Sequence, residues 1–544
     1  MLMRDALFET DDFSQLFKVP VDMTSKYICV CLFSVIVFTA SAGATETPTV
    51  RFDTVKTEVE QGVDETVVKR ALALSATTKG TSMDDVERAR LALQHALDQL
   101  AENHFLVTVP AQTISQNTVT LHVSVRKMPL LKALNVTDAA GFTADNIRRS
   151  IPSLQVGQPV DLDLLDRQLR LAQTNPSKDL NAKLIPQSDG LSADISTSTA
   201  RADKGYVTVD NFGTIPGYDQ VARINLGYLH GNLSGRDDVL KLNILGQQEA
   251  SAISTGYTLP LYANAQSIEF YGAYSKSNPG NVDVFHISGA GHNLGLRWNY
   301  VLPRFGSSDA FTVSAGYRYS HYDNDVTFNY DSSQTALVPS VSTSLITLGV
   351  NGLLNLNVTT SLSADVVLSH NFSGQLASDN SAALGKSRVG AEGNYTLLNY
   401  SFSLHTSVAD WLLQSNISGQ SANRPLVSGE QVYIAGPNAV RGFKNGLLGG
   451  DSGVTGRVEL ITPNLSTDML ALRLYSFYDA GHVARKAAQS GEIASANLSS
   501  IGVGMKMQWK FLNADIYYAQ KSAGRSYDTT ARAGGMWASV GGIF

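Results

Sequence analysis

Val221-Ala-Arg-Ile-Asn-Leu-Gly-Tyr-Leu229 is the stretch on which the fold turns. Ala222, Ile224, Leu226 and Tyr228 alternate with Arg223, Asn225 and Gly227, the period of two that sends successive side chains to opposite faces of a strand. Similar segments recur through the rest of the chain: Val239–Leu245, Ser267–Tyr274, Phe311–Tyr319 and Leu362–Leu368, with Gly, Asn, Asp and Ser between them. From Gly205 to Phe544 no helical periodicity interrupts the pattern. Weak alternation in segments of about ten residues is the signature of strands that cross a membrane. Lipid offers no partner to a peptide group, so such a sheet must close on itself. The segments number sixteen or seventeen. If both ends of the barrel lie on one side of the membrane the number is even, which selects sixteen, a size that can enclose an aqueous channel. Tyr317, Tyr319, Tyr322, Tyr517 and Tyr518 fall near segment ends, where interfacial aromatic girdles are expected.

Upstream the texture differs. In residues 50–127 a short strand is expected at Val50–Val55, a helix at Asp64–Ser75 and a stronger helix from Ser82, where Ser82 and Asp85 resemble a capping box. Val86, Ala89, Leu93, Leu97 and Leu100 line one face of that helix. Strands at Phe105–Val109 and Thr118–Val125 complete the order β-α-α-β-β. Residues 128–200 repeat the order: a strand at Leu130–Val136, helices at Thr143–Ser150 and Asp161–Gln173, then strands at Leu180–Ile185 and Leu191–Ser198. In the longer helix Leu162, Leu165, Leu169 and Ala172 form the apolar stripe. The fold class is therefore two α+β repeats ahead of a transmembrane antiparallel β-barrel.

At the N-terminus Lys26, the apolar run Tyr27–Thr39 and the small residues Ala40-Ser-Ala-Gly-Ala44 have the pattern of a secretory signal peptide, too short for a membrane helix. Cleavage after Ala42 or Ala44 fits. Met23 suits an initiator, leaving residues 1–22 as a mis-assigned start or an extension of the charged region. Both cysteines, Cys29 and Cys31, lie in this segment, so a mature chain has no disulfide, thiol nucleophile or Cys-ligated zinc. The net charge of −6, with no basic patch, argues against nucleic acid. The ten histidines are scattered without metal-ligand spacing, no Walker A sequence occurs, and Gly289–Gly295 lacks the β-α-β setting of a dinucleotide loop. No cofactor and no catalytic triad is expected. Thr45–Val50 faintly matches an energy-coupling box, but about 340 barrel residues are too few for 22 strands and a plug, so a flexible mature N-terminus is the better reading.

The most informative loop lies between alternating segments, from Ser421 to Gly453. It contains Val440-Arg-Gly-Phe443, followed by Gly456-Arg-Val-Glu-Leu460 and Phe477-Tyr-Asp-Ala-Gly481. Period two puts Phe477, Asp479 and Gly481 on one face. A carboxylate facing lipid is costly, so Asp479 should face the lumen, and Glu459 likewise. A lumenal carboxylate invites a cation, and the loop supplies Arg441. Gly442 permits a tight tip, Phe443 can wedge against the wall, and Gly481 leaves room for the incoming loop.

These motifs, in this order, resemble those of the two-partner secretion transporters (TpsB; FhaC/ShlB/HecB-like haemolysin secretion/activation proteins) in the superfamily that includes BamA. The two β-α-α-β-β units resemble POTRA domains, and the resemblance runs from about residue 50 to the end. It implies a sixth extracellular loop that folds into the barrel, its Arg441 meeting Asp479, with Glu459 as a second acceptor. It makes the aromatic end, Phe544, a recognition signal for the barrel assembly machinery. Localisation in the outer membrane, with the POTRA units in the periplasm, follows. So does a partner: an unfolded exoprotein of haemolysin, adhesin or contact-dependent toxin type, caught by the POTRA units and passed to the cell surface. Several family members carry an N-terminal plug helix; the short span between signal and first strand leaves no room for one here. The rival readings are an assembly factor of the BamA type, a passive porin or receptor, and, more distantly, an outer-membrane lipase.

Overall fold

Ser82 and Asp85 open a long helix as a reciprocal pair. The Asp85 amide donates to Ser82 Oγ at 3.1 Å and the Ser82 amide to Asp85 Oδ2 at 3.0 Å, which satisfies two donors that the helix itself leaves bare. The computed structural model describes residues 50–544 apart from 62, 76–78, 101–104, 113–118, 138–140, 198–200, 216–217, 283–284, 305–308, 329–337, 358, 376–378, 466–469 and 529–531. The expectations for the signal segment, its cysteines and the plug helix lie outside these residues. The helix, α2 (Met83–Leu100), follows β1 (Thr54–Val59) and α1 (Glu65–Leu74) and precedes β2 (Phe105–Thr108) and β3 (Thr120–Lys127). The sheet order is β1-β3-β2. Leu93 and Leu97 pack on Leu121, Val123 and Val125. The first strand starts later than the sequence pattern places it. Phe52 is buried and exchanges both backbone bonds, each 2.9 Å, with Gly80, so pairing with β3 begins only at Thr54.

The outer edge of β2 is occupied. Gln94 of α2 donates to the Phe105 carbonyl at 2.7 Å and accepts from the Val107 amide at 3.0 Å. Those are the two bonds one residue of a parallel neighbouring strand would make. Arg90 donates to the Val107 carbonyl at 3.2 Å.

The second POTRA-like unit contains β4 (Leu131–Val136), α3 (Ala144–Ser150), α4 (Leu162–Gln173), β5 (Leu180–Gln187) and β6 (Gly190–Thr197), in the sheet order β4-β6-β5. Thr143 and Asp161 cap the two helices. In α4 the fully buried positions are Leu165, Gln168, Leu171 and Ala172, while Leu162 and Leu169 are only partly covered. The shift has a tertiary cause: α4 is held between its own sheet and a barrel turn, where Gln168 donates to the Tyr262 carbonyl at 3.1 Å.

Sixteen strands then close into an antiparallel barrel. They are β7 (Asp203–Ile215), β8 (Tyr218–His230), β9 (Val239–Gln247), β10 (Ala250–Leu261), β11 (Gln266–Val282), β12 (Phe285–Val301), β13 (Ala310–Phe328), β14 (Val341–Asn357), β15 (Thr360–Asn371), β16 (Tyr395–Val408), β17 (Trp411–Ala422), β20 (Ser452–Ile461), β21 (Leu470–Ala484), β22 (Ser495–Trp509), β23 (Leu512–Ala523) and β24 (Gly534–Ile543). Two short strands, β18 (Val432–Tyr433) and β19 (Gly449–Gly450), pair with each other inside the sixth loop, and the helix α5 (Ser381–Ser387) lies in the fifth. Leu294, Leu296, Leu348 and Val350 face outward as the apolar band requires. The girdle expectation holds for Tyr317 and Tyr518, both exposed, but Tyr322 and Tyr517 turn into the lumen. Tyr322 donates to Glu430 at 3.0 Å and Tyr517 stacks on Trp537 at 5.7 Å.

Closure joins β24 to β7 through a short register, Tyr206↔Ile543 to Asp210↔Ser539. Beyond it Asn211 continues the ladder with its side chain, donating to the Met536 carbonyl at 3.1 Å and accepting from the Ala538 amide at 2.9 Å. Phe544 exchanges backbone bonds with Gly205 and lays its ring where a Gly205 side chain would stand.

The second unit is bolted to the barrel through a buried cation. Lys178, between α4 and β5, donates to Asp237 Oδ2 at 2.5 Å, Ser150 Oγ at 2.6 Å and Asn146 Oδ1 at 3.0 Å. Asp237 belongs to the turn between β8 and β9, and also receives the Tyr262 hydroxyl at 2.9 Å. Burial pulls the Lys178 pKa below the ordinary lysine value, and the Asp237 carboxylate opposes that loss. Removing the cation would leave Asp237 buried and unpaired, at a cost of about 3–5 kcal/mol. Lys178→Met is therefore expected to speed proteolytic release of the POTRA-like region from the detergent-solubilised barrel, measured by limited digestion. Digestion at the wild-type rate would remove this contact as the bolt.

Candidate functional site

The sixth loop, residues 423–451, enters the barrel instead of projecting from it. Glycine makes the turns at its tip: Gly436, Gly442 and Gly446 have φ of +121°, +90° and +73°, which side-chain-bearing residues rarely adopt. Val440 bonds back to Ile434 and Gly436, each at 3.1 Å. Ile434, Val440, Phe443 and Leu448 form a small apolar core with Val483, Ala496 and Leu498 of β21 and β22. A side chain at Gly481 would meet Val440 at 3.0 Å, so that glycine sets how closely the tip can approach β21.

Arg441 is thereby carried to the wall. Its Nε donates to Asp479 Oδ2 at 2.7 Å and its Nη2 to Asp479 Oδ1 at 2.8 Å, a bidentate fork. Its backbone amide also reaches Asp479, at 3.1 Å. The remaining nitrogen, Nη1, donates to Glu459 Oε1 at 2.6 Å, and Lys506 holds the other Glu459 oxygen at 2.8 Å. The guanidinium lies 3.5 Å from the centre of the Phe477 ring, which adds cation–π attraction. Strands β20, β21 and β22 thus supply Glu459, Asp479 with Phe477, and Lys506. Asp479 is fully enclosed and Arg441 is 3% exposed. Phe443 is buried beside Lys521 of β23, whose ammonium lies 5.4 Å from its ring centre and pairs with Asp528. The structure places Arg441, Glu459, Phe477, Asp479 and Gly481 around one point. Phe544 sits elsewhere, at the opposite rim of the closing seam.

Two further anchors of the loop are absent from the sequence reading. Glu430, 6% exposed, accepts from Arg318 at 2.6 Å, Tyr322 at 3.0 Å and Thr343 at 2.9 Å. These partners sit on β13 and β14, across the lumen from Asp479. Asp451, at the loop's other end, accepts from Arg388 at 3.1 Å and from the Leu426 and Lys486 amides. Strand parity held the signal for the first anchor. With Tyr317 and Tyr319 outward, Arg318 must point into the lumen and needs an acid. Above these contacts α5 is pinned through Leu384, which packs with Val341, Leu345, Tyr395, Leu397 and Leu426. The fifth and sixth loops thus both pack against the lumenal wall at the end remote from the POTRA-like units. Among the described residues no group of His, Cys, Asp and Glu is arranged to hold a metal ion.

A model of the haemolysin secretion/activation protein family ShlB/FhaC/HecB matches residues 192–507, more than half of the chain. The chain belongs to that family. Among curated relatives, the heme/hemopexin transporter protein HuxB of Haemophilus influenzae strain 86-028NP is 24% identical over 351 residues, covering 61% of this chain and 58% of the relative. HuxB of strain ATCC 51907 is 24% identical over 330 residues, 58% of this chain and 55% of the relative. The match thus spans little more than half the length of these curated relatives. Among solved structures, CdiB from Escherichia coli superposes with a TM-score of 0.69 at 15% identity, over 93% of this chain and 92% of that one. CdiB from Acinetobacter baumannii gives 0.64 at 14% identity over 95% and 97%. BamA from Haemophilus ducreyi lacking POTRA domains 1–3 gives 0.50 at 14% identity over 91% and 100%. At these identities the likeness is one of fold. This ShlB/FhaC/HecB-family chain is an outer-membrane β-barrel protein.

The loop is held on two walls at once, so weakening either should loosen the closure. Glu430→Gln removes the charge that Arg318 faces while keeping the side-chain shape. Purified barrels carrying it are expected to show more frequent large-conductance events in planar bilayers than the wild type. A trace indistinguishable from wild type would assign closure to the Arg441 side alone.

Proposed function

We propose that this protein carries an unfolded partner exoprotein, of haemolysin, adhesin or contact-dependent toxin type, from the periplasm through its barrel to the cell surface. The POTRA-like units stand in the periplasm and catch the partner, by adding a strand to a sheet edge or by seating a segment in a groove. The chain then threads the lumen and folds outside. Folding there makes return unfavourable, so the barrel needs no nucleotide and performs no covalent step.

The observation that carries this reading is the position of Arg441. It joins a loop folded into the lumen to carboxylates on the wall, in a barrel with two α+β units at the other mouth. An obstruction held to the wall by charge-assisted side-chain bonds, with its own short strands paired only to each other, is one that can be displaced without dismantling the barrel. The relatives agree in kind, since HuxB is described as a transporter. In this reading Val440, Arg441, Gly442 and Phe443 form the latch, with Asp479, Glu459, Phe477 and Gly481 as its seat, and Phe544 serves the barrel assembly machinery during insertion.

Arg441→Glu would place three carboxylates together and expel the tip. Secretion of the partner is expected to fall severalfold while heat-modifiable mobility on gels still reports a folded, inserted barrel. Full secretion by that variant would remove Arg441 from the mechanism. Deleting the gene should leave the neighbouring exoprotein trapped in the periplasm.

A further inference from the structure

The two walls of the lumen differ in chemistry. On β20–β23 the inward side chains include Arg457, Glu459, Arg473, Lys506, Asp515 and Lys521, most of them engaged in ion pairs or hydrogen bonds. Aromatic rings stand among them: Tyr475, Phe477, Tyr517 and Trp537. The loop tip covers the outer part of this wall. On β13–β17 the register that turns Arg318 and Thr343 inward also turns Thr347, Asn351, Ser363, Ser401, Asn416 and Ser418 inward. These are short and uncharged. Asn416 donates within the wall to Ser403 Oγ at 2.8 Å and to Ser401 Oγ at 3.3 Å, and Ser418 shares a 2.9 Å bond with Thr455 of the adjoining β20. Asp365 is a carboxylate on this side.

The mouth on this side is open as well. A cavity of about 510 Å³ lies between the C-terminal end of α4, at Arg170, Gln173 and Thr174, and the wall at Thr312, Asn351, Ser363 and Ser401, and one of about 500 Å³ lies against the charged wall at Arg473, Lys506 and Asp515. Because α4 is bolted to the barrel through its neighbour Lys178, the gap beside α4 has a fixed position.

We propose that the exported chain travels against the hydroxyl and amide wall of β13–β17, entering beside the end of α4. The inference rests on the transport reading above and names the path within it. An unfolded polypeptide presents side chains of both signs and a continuous row of peptide groups. Fixed charges in a narrow lumen would trap each opposite charge in turn. Hydroxyl and amide groups exchange hydrogen bonds with a passing backbone at little net gain or loss. A path must bind well enough to admit its cargo and weakly enough to let it go, and this wall meets both conditions. The path ends beneath the Glu430–Arg318 contact, where the sixth loop meets β13.

The test uses a photo-activated cross-linking residue at Ser401 or Asn416 on one wall, and at Gln508 or Asn513 on the other. The full-length transporter is expressed in cells with its partner, and the partner is stalled in transit by a folded C-terminal fusion. Partner adducts are expected at Ser401 and Asn416, and only background at Gln508 and Asn513. Adducts at Gln508 and Asn513 equal to or exceeding those at Ser401 and Asn416 would overturn the path while keeping transport through the barrel. Secretion of the unfused partner with no adduct at any of the four positions would overturn transport through the lumen, and the path with it.

Discussion

A membrane-spanning sheet must bond every peptide group to another, and in this chain that requirement produces a ring of sixteen strands. A ring has an inside. Period-two alternation fills the inside with polar side chains, and any charge placed there must find a partner within the protein. The sixth loop is held by this rule. Asp479 and Glu459 are tolerable on the lumenal face because Arg441 and Lys506 reach them, and Arg441 reaches them because three glycines bend the loop tip toward β21. Loop position, wall charge and barrel closure are therefore parts of one arrangement.

Much of this was legible beforehand, and the reasons are local. Helix starts were marked by Asp64, Ser82, Thr143 and Asp161, whose side chains satisfy amides within their own first turn. Strands showed themselves by alternation, and lumenal carboxylates by the cost of turning them to lipid. Features that depend on distant partners were not legible. β1 begins late because Phe52 pairs with Gly80. The second buried side of α4 exists because a barrel turn presents Tyr262. Nothing near Lys178 in the chain indicates Asp237 as its partner. Strand parity alone separates two of the girdle positions: Tyr517 and Tyr518 are adjacent and cannot share a face, and Tyr322 has the parity of Arg318, not of Tyr317.

The three anchors of the loop divide the labour by position. Arg441 fixes the tip near the middle of one wall, Glu430 ties its entry to the opposite wall, and Asp451 holds its exit at the rim through Arg388. Such a loop cannot swing freely about a single hinge. Displacing it requires that contacts on both sides give way. At the other mouth the second unit is bolted to the barrel through Lys178 and Asp237.

Gln94 and Arg90 give the first unit a property of a different kind. By bonding to Phe105 and Val107 they stand in for a neighbouring strand along an edge that would otherwise be bare. A bare strand edge pairs with any extended segment it meets. With the Gln94 amide and the Arg90 guanidinium already seated there, only a strand that brings additional contacts can compete for the place.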